Sequence, residues 1–112
     1  MLFGVFDGHG GKDVAEYARE NFKKTFVKHM KKKSENDFKS VLEQTMLDLD
    51  NVLKNKSFAM DAGTTANVVF VTKDTIYCAN VGDSRAVLCS NSKAVPLSVD
   101  HKPTNEKEKS RI

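Results

Sequence analysis

Four consecutive apolar residues, Val68-Val69-Phe70-Val71, constrain this chain more than any other feature. Their β-branched and aromatic character predicts a strand. Successive side chains of a strand point to opposite faces, so a run that is apolar at every position needs cover on both sides, helices on one and another sheet on the other. The surrounding sequence supplies both kinds of cover. Val14, Ala15, Ala18, Phe22, Phe26 and Met30 mark one face of an amphipathic helix running from Lys12 to about Lys32. Asp13 and Glu16 at its start, and Lys28, Lys31, Lys32 and Lys33 at its end, complement the helix dipole. Ser34 or Asn36 is expected to cap a second helix, antiparallel to the first, whose apolar face is Phe38, Val41, Leu42, Thr45, Leu49, Val52 and Leu53. Beyond Gly63 the pattern turns to short strands: 68–71, then 76–79 after the turn Thr72-Lys73-Asp74, then 86–89 and 94–97 joined through Ser90-Asn91-Ser92-Lys93, an antiparallel meander. Leu2, Phe3, Val5 and Phe6 add a buried strand at the front. The expectation is a layered α+β domain.

Composition removes several alternatives. A length of 112 residues suits one compact domain or a piece of a larger one. With 39% hydrophobic and 29% charged residues and two prolines, the chain is neither disordered, collagenous nor coiled-coil in character. Its formal charge of +3 is a mild excess, and the lysines from 28 to 33 have no aromatic stacking platform beside them, so no nucleic-acid partner is expected. No apolar run approaches the roughly 20 residues of a membrane helix, and Met1 to Phe6 is too short for a signal peptide's apolar region. A cytoplasmic or nuclear location is the expectation. Cys78 and Cys89 match neither a CxxC redox motif nor zinc-ligand spacing and are read as two buried thiols.

The chemistry lies where the first strand ends, at Asp7-Gly8-His9-Gly10-Gly11. A carboxylate, an imidazole and three glycines sit together there, and glycines let backbone carbonyls approach a ligand. Hard divalent cations such as Mg²⁺ or Mn²⁺ take oxygen ligands, which Asp7 and the Gly8 carbonyl can offer. Two phosphate-binding templates fail on spacing. A P-loop ending at Gly11-Lys12 would need glycine at Phe6 and Ser or Thr at Asp13, and a dinucleotide fingerprint starting at Gly8 would need a third glycine at Asp13. Of the remaining polar residues, His29 is read as a solvated side chain near a helix end, and Asp100-His101 as structural neighbours. Arg85 is assigned a structural salt bridge or backbone contact.

Several segments, in order, resemble the metal-dependent protein serine/threonine phosphatases of the 2C type. Phe3-Gly4-Val5-Phe6-Asp7-Gly8-His9-Gly10-Gly11 resembles the family's first metal motif, and Gly63-Thr64-Thr65-Ala66 its small-residue run into a strand. The segment from Ala79 to Leu88 resembles its internal hairpin motif, and that from Leu97 to Pro103 the stretch before its next helix, which Glu108, Arg111 and Ile112 would open. Ala62 departs from the serine frequent before that glycine. The resemblance implies a partial four-layer α-β-β-α sandwich, antiparallel sheets flanked by helices, with residues 1–112 an incomplete domain lacking N-terminal strands and the C-terminal half. It implies Asp7 as a carboxylate bridging two Mg²⁺ or Mn²⁺ ions, Gly8 as a carbonyl ligand and His9 as the general acid. Asp83 is either a turn aspartate or a ligand of a further ion. The implied reaction is hydrolysis of phosphoserine and phosphothreonine in phosphoprotein substrates by metal-activated water, with the 112-residue fragment inactive alone. The alternative is a non-catalytic pseudophosphatase or interaction module.

Overall fold

The computed structural model describes residues 1–32 and 37–112. In chain order they form strand β1 (Leu2–Val5), strand β2 (Gly8–His9), helices α1 (Asp13–Lys32) and α2 (Phe38–Leu53), and a 3-10 turn at Ser57–Ala59. Strands β3 (Gly63–Thr64), β4 (Ala66–Val71), β5 (Ile76–Val81), β6 (Val87–Ser90) and β7 (Lys93–Pro96) follow, and then helix α3 (Glu106–Arg111). With helices beside antiparallel sheets, the fold is α+β. The chain divides into two compact units, Phe6–Thr64 and Met1–Val5 with Thr65–Ile112.

In the helical unit α1 and α2 pack on each other through the faces their periodicity marks. Val14, Ala18, Phe22 and Phe26 are buried on α1, and Val41, Leu42, Thr45 and Leu49 on α2. The Phe22 ring stacks on Phe26 with centroids 6.4 Å apart and meets Phe6 at 5.8 Å. Thr45 has no exposed surface, and its hydroxyl donates to the Val41 carbonyl at 2.7 Å, which removes the cost of burying it. His29 departs from the solvated reading: its Nε2 lies 2.5 Å from Asp48 Oδ2 of α2. Three residues after Phe26, it stands beside the buried stripe and so reaches the second helix. Lys33 and the expected caps Ser34 and Asn36 lie outside the described residues. The side chain of Asp37 caps α2, accepting from Ser40 N at 3.2 Å.

In the strand-rich unit β4 is central, with β1 and β5 antiparallel on either side. The expected cover on both faces is found in full only at Val68, which is fully buried, while Val69, Phe70 and Val71 keep part of their surface. The reading of β1 as a buried strand needs correction. It is an edge, paired through Leu2↔Phe70, Phe3↔Val69, Gly4↔Val68 and Val5↔Asn67, and Phe3 and Val5, on one face of the pleat, are 57% and 59% exposed. Nor is the meander one sheet. The backbone leaves the ladder after Val81, and β6 and β7 form a separate two-stranded ribbon. Their turn is Asn91-Ser92, both at positive φ (51° and 62°), the left-handed pair that a two-residue hairpin requires. Cys78 is half-buried, with its thiol pKa pushed up by burial, whereas Cys89, on the thin ribbon, is exposed, so the expected pair of buried thiols is not found.

Candidate functional site

Chain geometry around Asp7-Gly8-His9 is fixed by glycine at close quarters. β2 and β3 pair through Gly8↔Thr64 and His9↔Gly63. A Cβ on Gly63 would lie 2.6 Å from Nε2 and 2.8 Å from Cε1 of His9, so the imidazole is seated over the bare α-carbon of residue 63. Gly10 has φ +69°, and a Cβ there would lie 2.2 Å from the Asp61 carbonyl oxygen, a backbone atom that cannot swing away. Gly8 is tight as well, its would-be Cβ 3.1 Å from Ala15 Cβ of α1. Asp7, Gly8 and His9 are thus consecutive, exposed and held between the start of α1 and the 61–64 segment. The contact of Gly63 with His9 is not one that the sequence pattern singles out. Its signal was the small-residue run Gly63-Thr64-Thr65-Ala66, whose spatial partner no local pattern shows.

Asp83 belongs to the strand-rich unit, in an exposed bend after β5. That bend is clamped. Gly82 takes φ +103°, where a Cβ would press on Thr65 at 2.9 Å, and its N–H donates to His101 Nδ1 at 3.2 Å while its carbonyl accepts from His101 N at 2.8 Å. The Thr65 and Ser84 hydroxyls are 2.7 Å apart. Asn67, buried on β4, donates to Asn80 Oδ1 at 3.0 Å and Ser98 Oγ at 3.2 Å, and Asn80 donates to the Val99 carbonyl at 3.0 Å. Arg85 holds Asp100 through two bonds, Nε to Oδ1 at 3.1 Å and Nη2 to Oδ2 at 2.8 Å, and the hydrogen-bonded guanidinium lowers the Asp100 carboxyl pKa. Arg85 therefore has the structural salt bridge assigned to it. Asp100 and His101 face different partners and form no catalytic pair.

The oxygen donors in the loop suit a hard cation in kind: one exposed carboxylate, Asp7, and the carbonyl of the next residue. In number they are a partial set. Among the described residues no group of three or more His, Cys, Asp or Glu side chains is gathered to hold a metal.

The family profile described as Protein phosphatase 2C matches residues 1–112. The chain belongs to the protein phosphatase 2C family. Among its curated relatives, Probable protein phosphatase 2C 3 of Paramecium tetraurelia is 43% identical over 99% of this chain, and Protein phosphatase 2C 1 of the same organism is 44% identical over 99%. Each match covers 41% of the relative, so the chain spans about two-fifths of the length of these family members. A solved structure titled as that of a C. elegans sex determining protein superposes with a TM-score of 0.86 over 98% of this chain and 28% of the other, at 26% identity. The Mycobacterium tuberculosis serine/threonine phosphatase PstP/Ppp shares the fold, with a TM-score of 0.69 at 17% identity over 89% of this chain and 44% of the other. Among the described residues of this protein phosphatase 2C chain, no helix is long and apolar enough to cross a membrane.

Proposed function

We propose that residues 1–112 contribute the first metal motif and the general acid to metal-dependent hydrolysis of phosphoserine and phosphothreonine in proteins. The observation that carries this reading is the seating of the His9 imidazole over Gly63, directly after the two oxygen donors of Asp7 and Gly8. What Mg²⁺ or Mn²⁺ supplies when bound is activation of water and stabilisation of charge on the phosphoryl oxygens. Asp7 would hold two such ions through its carboxylate oxygens and Gly8 one through its carbonyl. His9 as imidazolium donates a proton to the departing serine or threonine oxygen, so that an alkoxide need not leave unprotonated. Gly63 leaves the imidazole its space, and Gly10 lets the backbone after His9 pass the Asp61 carbonyl. Taken alone, residues 1–112 offer two cations one motif carboxylate and a neutral carbonyl where several anionic ligands are needed, so the isolated chain is proposed to be inactive.

The test places residues 1–112 in the matching segment of Protein phosphatase 2C 1 of Paramecium tetraurelia and compares His9→Ala with the unsubstituted chimera. Loss of a general acid lowers turnover by about 10²- to 10⁴-fold where the leaving group needs protonation. The expected loss is therefore large on a phosphoserine peptide and small on an activated aryl phosphate. Equal losses on both substrates would remove His9 from the proton-donor role.

A further inference from the structure

Positive charge is concentrated on one face of α1. Lys23, Lys24, Lys28, Lys31 and Lys32 recur at spacings of three, four, seven and eight residues, which places them together along the helix with Val27 among them. All five are exposed, and they line an open groove of about 870 Å³. The one carboxylate in that lining, Glu20, stands at its N-terminal end, 3.6 Å from Arg19. Five lysines against one glutamate exceed the +3 of the whole sequence. Among the described residues none of the five forms an ion pair.

Helix stability does not account for this pattern. The dipole favours Lys31 and Lys32 in the last turn, but its effect fades within one turn, and Lys23 and Lys24 lie near the middle of the helix. Lys24, Lys28 and Lys32 are successive i,i+4 neighbours of like charge, an arrangement that disfavours a helix where Glu would favour it.

We propose that this face of α1 is a docking surface for a carboxylate-rich segment of a partner polypeptide. From Lys23 to Lys32 the helix rises about 14 Å, a length that about four extended residues span. The half-exposed Val27 gives such a segment one apolar contact between the charges. A nucleic acid fits less well because the aromatic residues Phe22 and Phe26 are 3% and 2% exposed and provide no stacking surface. An anionic membrane fits less well because an interfacial helix buries its apolar face in lipid, whereas that of α1 is buried in protein. The proposal is independent of the phosphatase chemistry.

The experiment titrates the full chain into a short fluorescent Asp/Glu peptide, followed by anisotropy at low and physiological ionic strength. Two variants are compared, Lys23→Glu/Lys24→Glu/Lys28→Glu and Lys23→Gln/Lys24→Gln, with helix content followed by far-ultraviolet circular dichroism. Reversing three charges is expected to weaken binding by roughly tenfold or more, and the glutamine pair by less. Binding should also weaken with salt. Gln matches Lys in helix propensity, so the glutamine pair decides if the reversal variant loses its helix. Unchanged affinity in the glutamine pair with its helix signal intact would overturn the proposal. So would tighter binding, through the same lysines, of a single-stranded oligonucleotide or of phosphatidylserine vesicles.

Discussion

The imidazole of His9 fills the space that a side chain on residue 63 would need, which makes Gly63 a positioning residue for the proposed proton donor. Gly63→Ala should displace the ring and, in the Paramecium chimera, lower turnover of a phosphoserine peptide far more than that of an activated aryl phosphate, with metal affinity unchanged. Parallel losses on both substrates would instead mean general damage to the β2–β3 pair. Asp100 gives a prediction in pH. The Arg85 guanidinium holds its carboxyl pKa below the ordinary 3.8, so the folded state favours the ionised form; the resulting stability is present above about pH 4 and is lost as the pH falls through the folded value. Asp100→Asn should flatten the acid limb of urea-unfolding midpoints measured from neutral pH downward. It should not abolish that limb, because Arg111 depresses Glu108 in the same way. An unaltered slope would dissociate the pair from acid stability. At this scale the placing of Asp7-Gly8-His9 in a loop after the first strand was legible because the segment is contiguous, whereas Gly63 beneath His9 and Asp48 beside His29 are contacts that sequence separation hides.

For whole elements, legibility followed the range of the forces involved. Both long helices were readable from their period, since every three to four residues the chain must return an apolar side chain to the same face. The strands between 66 and 96 were readable to within two residues at each end, but their partners were not. Nothing in the apolar run of β1 encodes pairing with β4 more than sixty residues later, nor that an edge position leaves Phe3 and Val5 exposed. The break between β5 and β6 depends on the clamp around Gly82, built by Thr65, Asn67, Asn80, Ser84, Ser98 and His101 from separate segments. The cap of α2 belongs to this scale too. Asp37→Ala removes the bond to Ser40 N and should cost about 1 kcal/mol, seen as a lower urea midpoint with an unchanged m-value. An unshifted midpoint would mean that water replaces the cap at no cost.

Across the molecule, the α+β class and the family were both legible, because the segments carrying the resemblance run from Phe3 to Ile112 and the family profile matches the same span. Its two-unit division was not, since the strand-rich unit joins residues 1–5 to residues 65–112, a long-range pairing that no local pattern shows. In the strand-rich unit Val81, Val87 and Val99 are 50%, 52% and 69% exposed, so not every apolar residue of the strand pattern is a core residue. The relatives it matches are more than twice as long, so the chemistry is best tested in their context. The decisive measurement is metal binding by calorimetry, together with phosphopeptide turnover, in the Paramecium chimera with and without Asp7→Asn. A carboxylate that bridges two cations cannot be neutralised without weakening both, so the predicted result is metal-dependent turnover in the chimera, with most of that turnover and much of the Mn²⁺ affinity lost in the variant. Unaltered metal affinity and turnover in the Asp7→Asn chimera would contradict the assignment of this loop as a metal centre.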